Sequence, residues 1–279
     1  MHRFDTPNPP TINVEFGAGD VVVDAQDTAE TTVELTGGND QGSQELIAAT
    51  VIEHRGDTIV VHVPKRGHGL FNRTPDLQLH VTAPHGAALT ITSGSADVQA
   101  RGSFAGSRIS TGSGEISVLH LTGSSSLRSG SGEISLDSTE ADLDVRSGSG
   151  DIRIGSVSAA CNIASGSGDV QVQHVAGPAK AQTGSGDISI TDAESDVRTQ
   201  TGSGSVHLGR VHRGEVKAQG ASGDVHVGLA AGTAAWLDVH SLTGRVDTDL
   251  EAADEPGADE EKVRLRLNTV SGDISVVRV

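Results

Sequence analysis

Apolar residues in this chain come in pairs two positions apart, and the pairs recur on a fixed period. The residue that closes each Ser-Gly-Ser-Gly run, or its variant, serves as a marker: Asp97, Glu115, Glu133, Asp151, Asp169, Asp187 and Ser205. These seven keep an 18-residue period without a slip; Asp224, Arg245 and Asp273 then follow at wider intervals. One and three positions after a marker stand pairs such as Ile134 and Leu136, Ile152 and Ile154, or Val170 and Val172. Six before it stand Ile109, Leu127, Val145 and Ile163, and eight before it a weaker set that includes Leu143, Cys161 and Ala179. Spacing by two puts side chains on one face of a strand. Each period therefore predicts two short strands joined by a Gly-rich corner.

A two-strand unit cannot bury its apolar face alone. Hairpin pairing would give a sandwich or prism. The fixed period favours a coil that closes on itself, with every strand parallel to its copy one period on. Glycine suits a tight or left-handed corner, and the Ser or Thr that opens the corner can satisfy its amides. The inward columns are unevenly spaced and only one corner is Gly-rich, which speaks against a three-sided left-handed coil. The prediction is all-β: a right-handed parallel β-helix, or β-solenoid, with 18-residue coils and two short strands per coil.

The register reaches both ends, with Ile12, Val14, Val21 and Val23 around Asp20, and Leu265, Leu267, Ile274 and Val276 around Asp273. The simplest organisation is a single domain, 1–279. Within it, 1–88 form irregular coils or a cap, 89–228 the regular repeats, and 229–279 further coils with an acidic insertion at 249–261. Strand-like runs fall at 31–35, 46–52, 59–63 and 77–83, and no helix stands out.

Composition narrows the function. Asp and Glu number 37 against 20 Lys and Arg, a formal charge of −17, which repels phosphate backbones and argues against nucleic acid as partner. No apolar run approaches the ~20 residues of a membrane helix, so no membrane partner is expected. The single cysteine, Cys161, rules out an intramolecular disulfide framework. The first residues, MHRFDTPNPPTINV, show neither an apolar signal core nor a lipidation motif, and taken as a full-length start they predict a cytoplasmic protein.

The FGAGDVVV start, the SGSGDI array, and the run from GTAAWLDVHSLTGRVDTDL through VRLRLNTVSGDISVV resemble a bacterial family of β-strand-repeat proteins, the "putative adhesin" family or domain of unknown function 4097. The resemblance covers nearly the whole chain. It implies a β-helix-like fold and brings no catalytic motif.

Candidate chemistry is sparse. The acidic column could form a calcium ladder. In the nine-residue calcium repeat, however, a residue separates Gly from Asp, whereas here they abut. Solvated or corner-capping carboxylates are expected instead, with no metal and no cofactor. Of 12 histidines, His207 and His226 should face outward on adjacent coils, whereas His120 and His174 stand three coils apart. Cys161 reads as a buried small hydrophobe. No hydrolase, zinc-protease or P-loop motif occurs. Trp236, the only Trp, has outward parity near one end and could anchor a contact. Arg264, Arg266 and Arg278 share the outward side of the last coil, beside the acidic insertion. These four are the candidate interaction residues.

The expected function is a non-enzymatic, adhesin-like solenoid that binds or scaffolds a protein partner. The alternatives are a self-assembling solenoid and a carbohydrate-active enzyme on a β-helix. Five aromatic residues in all provide few sugar platforms.

Overall fold

The computed structural model describes residues 1–64, 77–250 and 262–279. The chain divides into two compact units, Met1–Ser138 and Thr139–Val279. Each is built on long rows of parallel strands.

In the second unit, strands Ile152–Val157, Val170–Val175, Ile188–Ala193 and Val206–Val211 lie side by side. Ile152 pairs with Val170, Val170 with Ile188 and Ile188 with Val206, all parallel and each one repeat period from the last. A second row runs through Leu143–Ser147, Cys161–Ser165, Ala179–Thr183 and Val197–Thr201 at the same offset. The first unit repeats the arrangement, with Ile116 on Val98 and Leu127 on Ile109 on Ile91. Hairpin stacking is thereby excluded for these rows. The inward columns are the ones read from the sequence: Ile134, Ile152, Val170 and Val145 are fully buried, and Cys161 is buried beside Leu143 and Ala179.

The corner explains the Ser/Thr-Gly-Ser-Gly run. The opening hydroxyl is buried. Thr183 Oγ1 accepts from Gly186 N at 3.1 Å and donates to the Gly168 carbonyl one coil back at 3.3 Å; Thr201 repeats the pair with Gly204 and Gly186. The glycines serve close approach rather than left-handed backbone. A Cβ on Gly168 would stand 2.2 Å from the Gly150 carbonyl oxygen, and one on Gly186 2.2 Å from that of Gly168. Neither has positive φ. Stacked carbonyls leave no room for a methyl group.

Both ends depart from chain order. At the start, Ile12 and Val14 pair with Leu89 and Ile91, and Val21 and Val23 with Val98 and Ala100. The 10–26 segment thus joins the regular array directly. The strands Thr58–His62 and Leu77–Pro84 pair with its other side, also in parallel. Beyond them the pairing turns antiparallel: Val51–Arg55 on Thr58–His62, Glu30–Gly37 on Leu77–Pro84, and His2–Asp5 on Glu30–Gly37. The irregular region is therefore one out-of-order coil with antiparallel strands at its edge.

The run at 46–52 is corrected. Residues Gln41–Ala49 form a helix and a strand begins at Val51. Asp40 caps the helix by accepting from Ser43 N at 3.0 Å. The apolar cluster Leu46–Ile47 lies on that helix, where its reading as strand fails.

At the other end, strand Lys262–Ser271 pairs on one side with Gly214–Ser222 and on the other with Ala234–Ser241. Strand Ile274–Arg278 likewise lies between Val225–Leu229 and Val246–Thr248. The coil last in sequence is next to last in space, and residues 234–248 form the rim. Of the acidic insertion, residues 251–261 lie outside the described residues.

Candidate functional site

The rim gathers exposed apolar side chains because no described strand covers its outer side. Leu237 continues the inward column of Leu265, yet it is exposed, as are Trp236, Leu242 and Val246. Leu265, one strand further in, is fully buried. Trp236 is 55 % exposed and pairs in register with Arg264. The guanidinium stands 5.5 Å from the indole centroid, within cation–π range.

Arg266 faces the same side two residues on. It meets Glu215 at 3.4 Å, and Lys217 meets that carboxylate at 2.7 Å. The Lys217 hydrogen bond, with the charges of Arg266 and Arg264 adding, holds the Glu215 carboxyl below its usual range. Sequence reasoning placed Trp236, Arg264 and Arg266 together, and the structure does so. It separates Arg278, which sits on a strand of the other row and donates through Nη1 to the Thr233 carbonyl at 3.1 Å. Nor do these arginines occupy the last coil, since residues 234–248 lie beyond them.

One feature of this flank escaped the sequence reading. Lys180, Arg198, Lys217 and Arg266 are successive register partners and form a column of four cations. A parallel column holds Gln182, Gln200, Gln219 and Asn268, with Gln182 donating to Gln200 at 3.0 Å. Both columns stand at fixed outward offsets in the sequence, seven and five residues before their markers. A groove of about 330 Å³ runs along the first, lined by Lys180, Asp196, Arg198, Glu215 and Lys217, with Cys161 at its floor. That volume is at the low end for ligand pockets. Burial pushes the Cys161 thiol up to about 11, so it is no thiolate nucleophile at neutral pH.

His207 and His226 face outward as register partners, with rings stacked 4.8 Å apart. The acidic column caps amides, but those of the next coil rather than its own corner: Asp151 Oδ1 accepts from Asp169 N at 3.0 Å and Asp187 Oδ1 from Ser205 N at 2.7 Å. His174, Asp192 and Glu194 form the one group among the described residues with three potential metal ligands close together. Among those residues no helix is long and apolar enough to cross a membrane.

The sequence matches the Toastrack DUF4097 family over residues 10–213, and the chain belongs to that family. Among solved structures, a "putative adhesin" of Bacteroides fragilis aligns at 12 % identity with a TM-score of 0.49, covering 100 % of this chain and 95 % of its own. A "putative lipid binding protein" of Parabacteroides distasonis aligns at 15 % identity and a TM-score of 0.45, with the same coverage. A "putative adhesin" of Parabacteroides merdae gives 12 % and 0.42, again over 100 % and 95 %. No curated protein matches the chain.

Proposed function

We propose that this protein is a non-enzymatic, adhesin-like solenoid that binds a protein partner through its C-terminal rim. The coil is read as right-handed, with two strands in each 18-residue turn. The observation that carries the function is the rim itself. Trp236, Leu237, Leu242 and Val246 are exposed on one coil, and the strand Ala234–Ser241 has a described partner on one side only. An unpaired edge beside apolar side chains is a template for an added strand. Trp236, backed by Arg264, has the chemistry of an interface anchor.

Trp236→Ala and Leu242→Asp test this reading. Both positions are exposed, so the fold should survive. Capture of partner from native extract, quantified against the parent, should fall with either variant. If the parent's mass rises with concentration and the variants stay monomeric, the partner is a second copy. Undiminished capture and unchanged mass in both variants would overturn the rim as the binding site.

A further inference from the structure

We propose that His174, Asp192 and Glu194 form a site for a divalent transition metal such as zinc, positioned by His212. This stands apart from the rim and needs no partner protein.

Backbone pairing fixes the four residues on three consecutive coils. His174 and Asp192 are register partners on Val170–Val175 and Ile188–Ala193. Glu194 N donates to the Val175 carbonyl at 3.0 Å, and His212 N to that of Ala193 at 3.0 Å. The side chains therefore converge from a rigid frame. His174 Nδ1 lies 3.2 Å from Asp192 Oδ2, and its Nε2 lies 3.6 Å from Glu194 Oε1. One ligand atom from each of the three residues lies within 4.8 Å of the others. Ligand atoms about 2.1 Å from a tetrahedral ion stand roughly 3.4 Å apart, so one carboxylate must swing round from its own ring nitrogen toward the other for all three residues to ligate.

The electrostatics call for a cation. A neutral imidazole carries one N–H and one lone pair. His174 has a carboxylate at each nitrogen, so in the neutral ring a lone pair faces carboxylate oxygen whichever tautomer is present. A bound metal ion relieves this. His212 Nε2 meets Asp192 Oδ1 at 2.8 Å. That contact leaves Oδ2 for the ion and orients the carboxylate, the arrangement expected around a ligating group. Imidazole with carboxylates suits zinc, cobalt or nickel rather than calcium. Three protein ligands leave a further coordination position for water. The His174–Asp192 relation was available in the sequence, since both stand five residues past their markers.

Zinc chloride titrated into the purified chain by calorimetry tests the proposal, with Co²⁺ absorption as a second readout. One equivalent of zinc should bind, and Co²⁺ should give visible d–d bands. His174→Ala and Glu194→Gln should each weaken zinc binding by about tenfold or more and remove the bands. The double variant His207→Gln with His226→Gln, which removes the stacked pair further along the same row, should leave binding unchanged. Circular dichroism shows that each variant is folded, and either of the two single variants suffices. Absence of stoichiometric zinc binding, binding unaltered in folded His174→Ala or Glu194→Gln, or loss only in the His207/His226 double variant would overturn the site.

Discussion

Asp151 Oδ1 accepts the backbone amide of Asp169, one coil away, at 3.0 Å. Asp169 does the same for Asp187 at 2.9 Å, and Asp187 for Ser205 at 2.7 Å. The ladder then follows space rather than sequence: Asp224 accepts from Asp273 N, and Asp273 from Arg245 N, each at 2.8 Å. Arg245 ends it on the rim coil, where no described coil follows to offer an amide. Like charges at the ~4.8 Å strand spacing cost about 1 kcal/mol per neighbouring pair in water-like dielectric. The charge-assisted hydrogen bonds offset that cost.

Asp169→Ala should therefore destabilise by about 1.5–3 kcal/mol, the worth of one hydrogen bond to a charged acceptor. Asp169→Asn keeps an acceptor and should cost less. Urea midpoints of the two variants check this; equal losses would show that the acceptor is not what counts. Millimolar Ca²⁺ should raise the melting temperature no more than Mg²⁺ does, because the marker carboxylates are already engaged. Calcium-specific stabilisation abolished in Asp151→Asn with Asp169→Asn would contradict this.

Gly168→Ala should cost about 1–3 kcal/mol by overpacking, because its Cβ would meet the Gly150 carbonyl at 2.2 Å. Ser149→Ala, at an exposed corner position, should change stability little. Chemical denaturation separates the two, and similar midpoints would undermine the close stacking of the corners.

Ile152 is fully buried. Ile152→Asp should cost at least about 3 kcal/mol by burying an unpaired carboxylate. A midpoint shift as small as that of Ser149→Ala would mean that the inward face has been misassigned.

Burial, reinforced by the neighbouring His226, depresses the His207 titration. A depressed folded-state value means that the unfolded chain takes up the proton first. The contribution of His207 to stability is thus present above about pH 6.5 and lost as pH falls below it. His207→Gln should lose less stability than the parent between pH 7.5 and 5.5. Parallel urea midpoints at the two pH values would contradict the assignment.

Much of the fold was legible because a column of Val and Ile at fixed spacing has one stable arrangement. Ile12, Val14, Val21 and Val23 matched the array although a long stretch of other structure separates them from it in sequence. What was not legible is order. A strand such as Leu265–Leu267 carries the same inward pattern whether it is the last or the next-to-last layer, and nothing local in its sequence says which. The antiparallel strands at 30–37 and 51–55 lie outside the period, so no column constrained them. The helix at 41–49 depends on the Asp40 cap, beside an apolar run whose pattern reads equally as strand. Among candidate site residues, Trp236 and Arg264 followed from parity alone. Arg278 did not, because parity says which face a residue takes but not which row its strand joins. The cation column and the His174 group belong to outward positions; Lys180, Arg198, Lys217 and Arg266 each stand seven before a marker, but no packing requirement keeps an outward column constant, and the inward columns alone fix the fold.

The rim reading rests on residues 234–248 being the terminal coil, and disulfide trapping tests this most directly. In a Cys161→Ala background, Gln219→Cys with Asn268→Cys pairs register neighbours, whereas Gln219→Cys with His240→Cys pairs positions one strand further apart. Adjacent strands stand ~4.8 Å apart and alternate ones roughly 10 Å, and Cα atoms beyond about 7 Å cannot be bridged. Oxidation should cross-link the 219/268 pair and leave the 219/240 pair reduced. Cross-linking of 219/240 in place of 219/268 would put the coils back in sequence order, cover Leu237 within the stack, and contradict the account.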